Sequence, residues 1–405
     1  MRVRSIAWVA GAALAVTGLA ACGEDSGSSD GSELVIGEVA ELTGAAEAVG
    51  GPQHNAIKLA VDEINAAGGI RIGDKKVRIK LRTEDTKSDP TVGVTAVQKL
   101  LTKDGVHYLV GSLSGAVASA YLPVIKDRKD IIDIVVGAAN PGLNENISVY
   151  RPRADAFQSV DAEVTLALET AGELGTDNIA VLSDKKLQSN AVAVPKIVDA
   201  IKAAGKTVVG PVDFEMGATQ FSSQIAALKR AGNKVALFQG YGTDLMTFVK
   251  QARAQGYDGT VVAASGATAD QVKQADVSAD ALKNVFDIGT AFPADLVALK
   301  LNAEAAQKFA DAYEKEFGAP PGYTSASAYG GVHILAAALE KAGTTTDYAK
   351  VREALDDLTV ADVPELAEKV VPQEGDRIFK DHQAYFSLVL RAWDGAAWTT
   401  VKAIG

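Results

Sequence analysis

The stretch VRIKLRTEDTKSDPTVGVTAVQKLLTKDGVHYLVGSLSG, residues 77–115, holds a strand, a helix, a second strand and a turn in succession. Val77, Ile79 and Leu81 alternate with basic residues, the period of a half-buried strand. Asp89-Pro90 opens the helix. An aspartate caps the free N–H groups of a first turn, and proline, which has no N–H, fits the first helical position. HYLVG (107–111) is a short apolar strand. GSLSG then turns the chain toward a further helix opening at about Gly115. Strands joined by a crossover helix lie parallel, so the unit predicts an α/β protein with helices on both faces of a sheet.

The rhythm extends outward in both directions. LVIGEVAEL (34–42) is a strand candidate. Pro52 is expected to start a helix with Ile57, Val61 and Ile64 on one face and Gly68-Gly69 as its stop. DIVVG (133–137) is another strand. Apolar density falls at VYRPRAD (149–155), and the alternation then restarts. Helices are expected at 156–174, 189–204, 219–232 and 243–256. Strands are expected at 178–184, 207–214, 235–240 and 260–265. DIGTAFPAD (287–295) reads as a second break. Helical stretches follow near 302–317, 326–342 and 347–357, and YFSLVLRAW (385–393) is the last strand signal. A chain of 405 residues exceeds one ordinary core, so two α/β units of similar size are the expectation.

The first residues read as a targeting segment. Arg2 and Arg4 form a basic head before the apolar run 6–20, which is short for a membrane span. Leu19-Ala20-Ala21-Cys22 resembles the bacterial lipoprotein signal, which implies a lipid on Cys22 and residues 1–21 as signal peptide. Cys22 is the one cysteine of the chain, so no internal disulfide forms. GEDSGSSDGSE (23–33) reads as a flexible tether. The net charge of −11 disfavours a general nucleic-acid binder, which needs clustered basic residues.

Several chemistries fail on their residue requirements. The GSLSG turn lacks the lysine of a phosphate-binding loop, and Leu113 breaks both the dinucleotide and the serine-nucleophile patterns. His54, His107, His333 and His382 stand without a motif, and neither a zinc site nor a calcium loop is spelled out. No cofactor or metal is expected. What remains for the turn is binding. A helix opening at Gly115 offers free N–H groups and the positive end of its dipole, with the hydroxyls of Ser112 and Ser114 beside them. That suits a carboxylate or another polar acceptor, and equally a plain strand-to-helix turn capped by serine.

Read together, LVIGEVAELTG (34–44), GPQHNAIKLAVDEINAAGGI (51–70), residues 77–115, NIAVLSDKK (178–186), ATQFSSQIAALKRAG (218–232), VALFQGYGTDLMTFVKQARAQGYDG (235–259) and TSASAYGGVHILAAALEKAG (324–343) resemble the leucine/isoleucine/valine-binding family of periplasmic binding proteins. The resemblance implies two doubly wound parallel-sheet lobes joined by three crossovers, with a ligand cleft between them. It places the crossovers near 152–158, 287–292 and 378–384. The N-lobe is then 33–153 plus 290–379 and the C-lobe 154–289 plus 380–405. It implies a monomeric, lipid-anchored binder on the outer face of the cell membrane, not an enzyme, which delivers a small ligand to an ABC permease and its ATPase subunits. Ser114, Gly115, Ala138, Ala139 and Asn140 match positions that hold a ligand carboxylate, and Tyr241 matches a cleft tyrosine. Asn140 stands where threonine or serine is typical, and Val49 where an aromatic is common. Gln188 stands in place of a tyrosine, and Ser265 in place of the acid that in the family often pairs with the ligand ammonium. These departures point away from a standard branched-chain amino acid, toward a small carboxylate or amide. Two other functions stay open at this point: a surface sensor of the same fold, and a secreted hydrolase using Ser114 with His54 or His107.

Overall fold

The computed structural model describes residues 33–154, 156–322 and 324–404, without the side chain of Ala156. The signal segment, the tether and Cys22 lie outside the described residues. Two sheets organise the rest.

The first sheet is built from β1 (Glu33–Ala40), β2 (Ile70–Ile72), β3 (Lys75–Asp85), β4 (Tyr108–Gly111), β5 (Ile132–Val135) and β6 (Val149–Tyr150) in the order β2-β3-β1-β4-β5-β6. Its helices are α1 (Glu47–Ala66), α2 (Pro90–Thr102) and α3 (Gly115–Ile125). The second sheet combines β7 (Asn178–Asp184), β8 (Thr207–Phe214), β9 (Val235–Gln239), β10 (Thr260–Ala263) and β11 (Val285–Thr290). Between them run α4 (Ala156–Glu173), α5 (Asn190–Ala203), α6 (Ser222–Arg230), α7 (Gly242–Ala254) and α8 (Ala269–Ala275). The chain continues through α9 (Pro293–Ala298), α10 (Ala303–Phe317), α11 (Ser325–Ala342) and α12 (Tyr348–Asp356). A small pair, β12 (Phe379–Lys380) with β13 (Gln383–Ala384), leads to β14 (Leu388–Trp393) and β15 (Trp398–Ile404), which complete the order β15-β14-β11-β10-β9-β7-β8.

Both faces of each sheet are buried, so the central strands are buried and mostly apolar, as in β4 and β10. One core of the first sheet joins Ile57, Val61, Tyr108 and Ile134 to Leu335 and Leu339 of α11; the other joins Val39, Leu100, Val117 and Tyr121. In the second sheet a ring cluster of Phe214, Phe221, Phe238 and Phe248 fills one side. Ile179, Val181, Leu237 and Val262 meet α4 and α5 on the other.

Three expectations need correction. The sheets are not purely parallel: β2 runs antiparallel to β3, and β14 and β15 are antiparallel to their neighbours. The β2–β3 and β14–β15 reversals are hairpins at sheet edges, which need no crossover, while β14 returns to β11 antiparallel after the long excursion through α9–α12. Pro52 does not start α1. The helix begins at Glu47 and the proline lies inside it, close enough to the start to remove a single ladder bond. DIGTAFPAD is not simply a break, because Asp287–Thr290 form the end of β11. Its buried Asp287 and its glycine disguise the strand.

Where the chain passes between sheets it is tightly tied. Arg151 pairs with Gln383 in an isolated parallel bridge. The Arg151 N–H donates to the His382 carbonyl at 2.9 Å, and the Ala384 N–H donates to the Arg151 carbonyl at 3.0 Å. The Arg151 side chain is fully buried and reaches the Ala138 carbonyl at 3.1 Å. Low apolar density here therefore marks a passage that is mostly buried over residues 149–154.

Candidate functional site

Parallel strands of α/β sheets bring their carboxyl ends to one edge, where ligands bind. In the first sheet that edge is formed by the segments after β1, β4 and β5. In the second it is formed by those after β7, β9 and β10.

The turn after β4 is shaped by Gly111, whose φ of +126° and contact with the Val39 carbonyl leave no room for a side chain. Ser114 is the N-cap of α3, its hydroxyl accepting from the Val117 N–H at 3.4 Å. The turn already holds a carboxylate, and it is the chain's own. Glu41, fully buried just past β1, accepts from the Ser112 hydroxyl at 2.5 Å, the Leu113 N–H at 2.9 Å and the Ser114 N–H at 3.2 Å. Burial pushes its pKa up, against the pull of these three donors. Sequence reading missed this partner because 71 residues separate Glu41 from Ser112.

Asn140 lies across the mouth of α3. Its Nδ2 donates to the Gly115 carbonyl and the Ser119 hydroxyl, both at 3.2 Å. A Cβ on Gly115 would stand 1.8 Å from Asn140 Oδ1, so glycine at 115 is what admits the amide. The same Nδ2 donates at 3.1 Å to Gln188 Oε1, from the segment after β7. One contact thus links the strand ends of the two sheets. Ala138 is buried, its N–H donating to the Ser112 carbonyl at 2.8 Å, and Ala139 is partly exposed beside Asn140.

On the second sheet, Tyr241 is the N-cap residue of α7 and is 42% exposed. Ser265 is turned toward its own sheet: its N–H and its hydroxyl both donate to Asp287 Oδ1, at 2.9 and 2.7 Å. Asp287 is fully buried and faces Arg391 at 3.4 Å, while Arg391 also donates to Asp295 at 3.1 Å. Burial raises the pKa of Asp287, and the Arg391 charge opposes that. An acid does stand near 265, one layer down and 22 residues later in the chain. Asp184 and Asp244 serve loops, accepting from Lys186, Met216 and Gly217 N–H groups.

Among the described residues no histidine hydrogen-bonds Ser114. His54 Nδ1 sits on Glu38 at 2.8 Å, and His107 Nδ1 on the Asp130 carbonyl at 3.0 Å. No cluster of potential metal ligands occurs among the described residues.

A family model described as periplasmic binding protein matches residues 33–397. The chain belongs to that family. A Leu/Ile/Val-binding protein homologue of Brucella melitensis is 28% identical over 331 residues, covering 80% of this chain and 83% of that one. The crystal structure of a leucine-binding protein from Thermotoga maritima superposes with a TM-score of 0.75 at 20% identity, over 92% of this chain and 99% of that one. A solute-binding protein of an ABC transporter from R. palustris, solved with benzoate, gives 0.72 at 16% identity, over 92% and 96%. Periplasmic binding proteins of this kind are extracytoplasmic solute binders, and their fold is the two-lobed α/β architecture described above. Among the described residues no helix is long and apolar enough to cross a membrane.

Proposed function

We propose that this protein is the solute-binding lipoprotein of an ABC importer of the branched-chain amino acid type. It takes a small polar ligand, an amino acid, carboxylate or amide, between two lobes that hinge shut. The N-lobe comprises 33–153 plus 290–379, and the C-lobe 154–289 plus 380–405. Ser114, Gly115, Ala138, Ala139 and Asn140 face the ligand from the first, and Gln188, Tyr241 and Ser265 from the second. Cys22 carries the lipid that holds a monomer at the outer membrane face, where it meets the permease and its ATPase subunits.

The observation that carries this reading is the Asn140–Gln188 hydrogen bond, which spans strand ends of separate sheets at the edge where such sheets bind ligands. The benzoate-bound relative and the leucine-binding one support a ligand class broader than branched-chain amino acids. The test is a thermal-shift screen of the purified protein against amino acids, amides and aromatic acids. A compound that binds the folded state alone raises the melting temperature with concentration. Stoichiometric binding without turnover supports the reading. Conversion of the compound, abolished by Ser114→Ala, would replace it with the hydrolase.

A further inference from the structure

We propose that Glu41 sets the selectivity of the cleft, making its N-lobe half a receptor for a neutral N–H-bearing head group such as a primary amide, and closing it to free carboxylates. This rests on the solute-binding reading and narrows it.

A carboxylate ligand needs several converging donors. The turn after β4 has them, but Ser112 Oγ, Leu113 N and Ser114 N all donate to Glu41. Among the described residues no lysine or arginine forms an ion pair with that carboxylate. Its charge is met by hydrogen bonds alone, so a second anion placed beside Ser114 would meet it at short range in a poorly screened setting. Next to it stands a second acceptor. Gln53 is buried, its Oε1 accepts no hydrogen bond, and it lies 2.5 Å from where a Cβ on Gly137 would be. Gly137 leads directly into Ala138–Asn140. A buried acceptor without a donor is costly, and a ligand N–H relieves that cost.

The opposite wall has the same polarity. Ser265 sends both its N–H and its hydroxyl hydrogen inward to Asp287, which leaves the hydroxyl lone pairs for a ligand. Acceptors therefore line both sides. Donors for the amide carbonyl remain in the Ser114 hydroxyl and in the Gly115 and Ala116 N–H groups that open α3, the Val117 N–H being taken by Ser114.

The experiment pairs acids with their amides: benzoate with benzamide, and isovalerate with isovaleramide. Each is titrated calorimetrically into the wild-type protein, Glu41→Gln and Glu41→Asp, after melting curves establish folding. The amide should bind wild type at least tenfold more tightly than its acid. Glu41→Gln should bring the two within about threefold, and Glu41→Asp, which keeps the charge, should retain the preference. An acid that binds wild type as tightly as its amide overturns the proposal. So does a ratio left unmoved by Glu41→Gln in a folded protein. If Glu41→Gln does not fold, the wild-type and Glu41→Asp ratios decide. Should no amide bind while a carboxylate or amino acid does, this proposal falls and the solute-binding reading stands. Should nothing in the wider screen bind, both fall.

Discussion

Arg391 shows how much one side chain can hold. It is buried with Asp287 and Asp295, donates to the Thr290 carbonyl at 2.7 Å, and stacks over the Phe292 ring at 4.3 Å. Asp287 in turn fixes Ser265. Removing one partner of a buried ion pair leaves the other charge uncompensated, at a cost on the order of 3–5 kcal/mol. Arg391→Ala should therefore lower the urea midpoint strongly, and Arg391→Lys, without the planar fork, should recover only part of it. Gly115 is the converse case, a residue whose value is the space it leaves. Gly115→Ala drives a methyl into Asn140 Oδ1 and should detach Asn140 from Gln188. The expected outcome is at least a tenfold loss of affinity for the best compound of the screen, measured by calorimetry, with a smaller change in melting temperature. Of the site residues named from sequence, Asn140 and Gln188 meet, while Ser114 and Ser265 spend donors on partners within the chain. Glu41, Gln53 and Asp287 left no local signal. Each acts across the fold, and a single acidic or amide residue beside an apolar run is indistinguishable from a solvated one.

At the scale of elements, local chemistry was a good guide wherever it was self-contained. Asp89 caps α2 as its sequence implies, accepting from the Thr91 and Val92 N–H groups at 2.7 and 3.1 Å, with Pro90 in the first turn. Asp89→Ala should cost about 1 kcal/mol in denaturant unfolding, and Asp89→Asn much less. The strands that alternate or run apolar between helices were legible for the same reason. β15 was not: its burial alternates only weakly and its exposed positions mix Thr399 and Lys402 with Val401 and Ala403, so nothing marks it until β14 offers an edge. The β2–β3 hairpin hides in a basic stretch around Gly73. Glycine and polar residues inside β11 conceal a strand whose pairing on both sides is long-range.

Across the whole molecule, buried carboxyl groups set a pH response. Burial pushes Glu163 and Asp133 up to about 7 and Glu368 up to about 8, the last despite the Arg153 charge. A group with a raised folded pKa contributes fully below its unfolded value, here 4.5 for glutamate, and that contribution is lost as pH rises through the folded value. His333 works the other way. Held neutral by burial at about 4, it loses stability as pH falls below 6.5. Between pH 6.5 and 8.5 that histidine is silent, and the slope is set by the acids together with His54, whose pKa the Glu38 hydrogen bond raises and which acts in the same direction. The melting temperature should fall across this interval. Glu368→Gln should flatten the fall, removing up to about 2 kcal/mol of the pH dependence, as melts at the two pH values will show.

The order of strands in the second sheet carries one more consequence, for how the chain comes to be folded. β14 inserts beside β11 and carries β15 at the rim, yet α9 to α12 and the β12–β13 pair are made in between. While the ribosome is still producing them, β11 presents an open row of backbone groups, and Ile288 and Leu296 lack the cover that β14 later gives them. The second sheet cannot close until β15 has been synthesised. An unfinished chain therefore offers a long-lived exposed strand edge, the kind of surface that chaperones hold and that neighbouring nascent chains pair with. Completion of this fold waits for β14 and β15, however early its first strands are made.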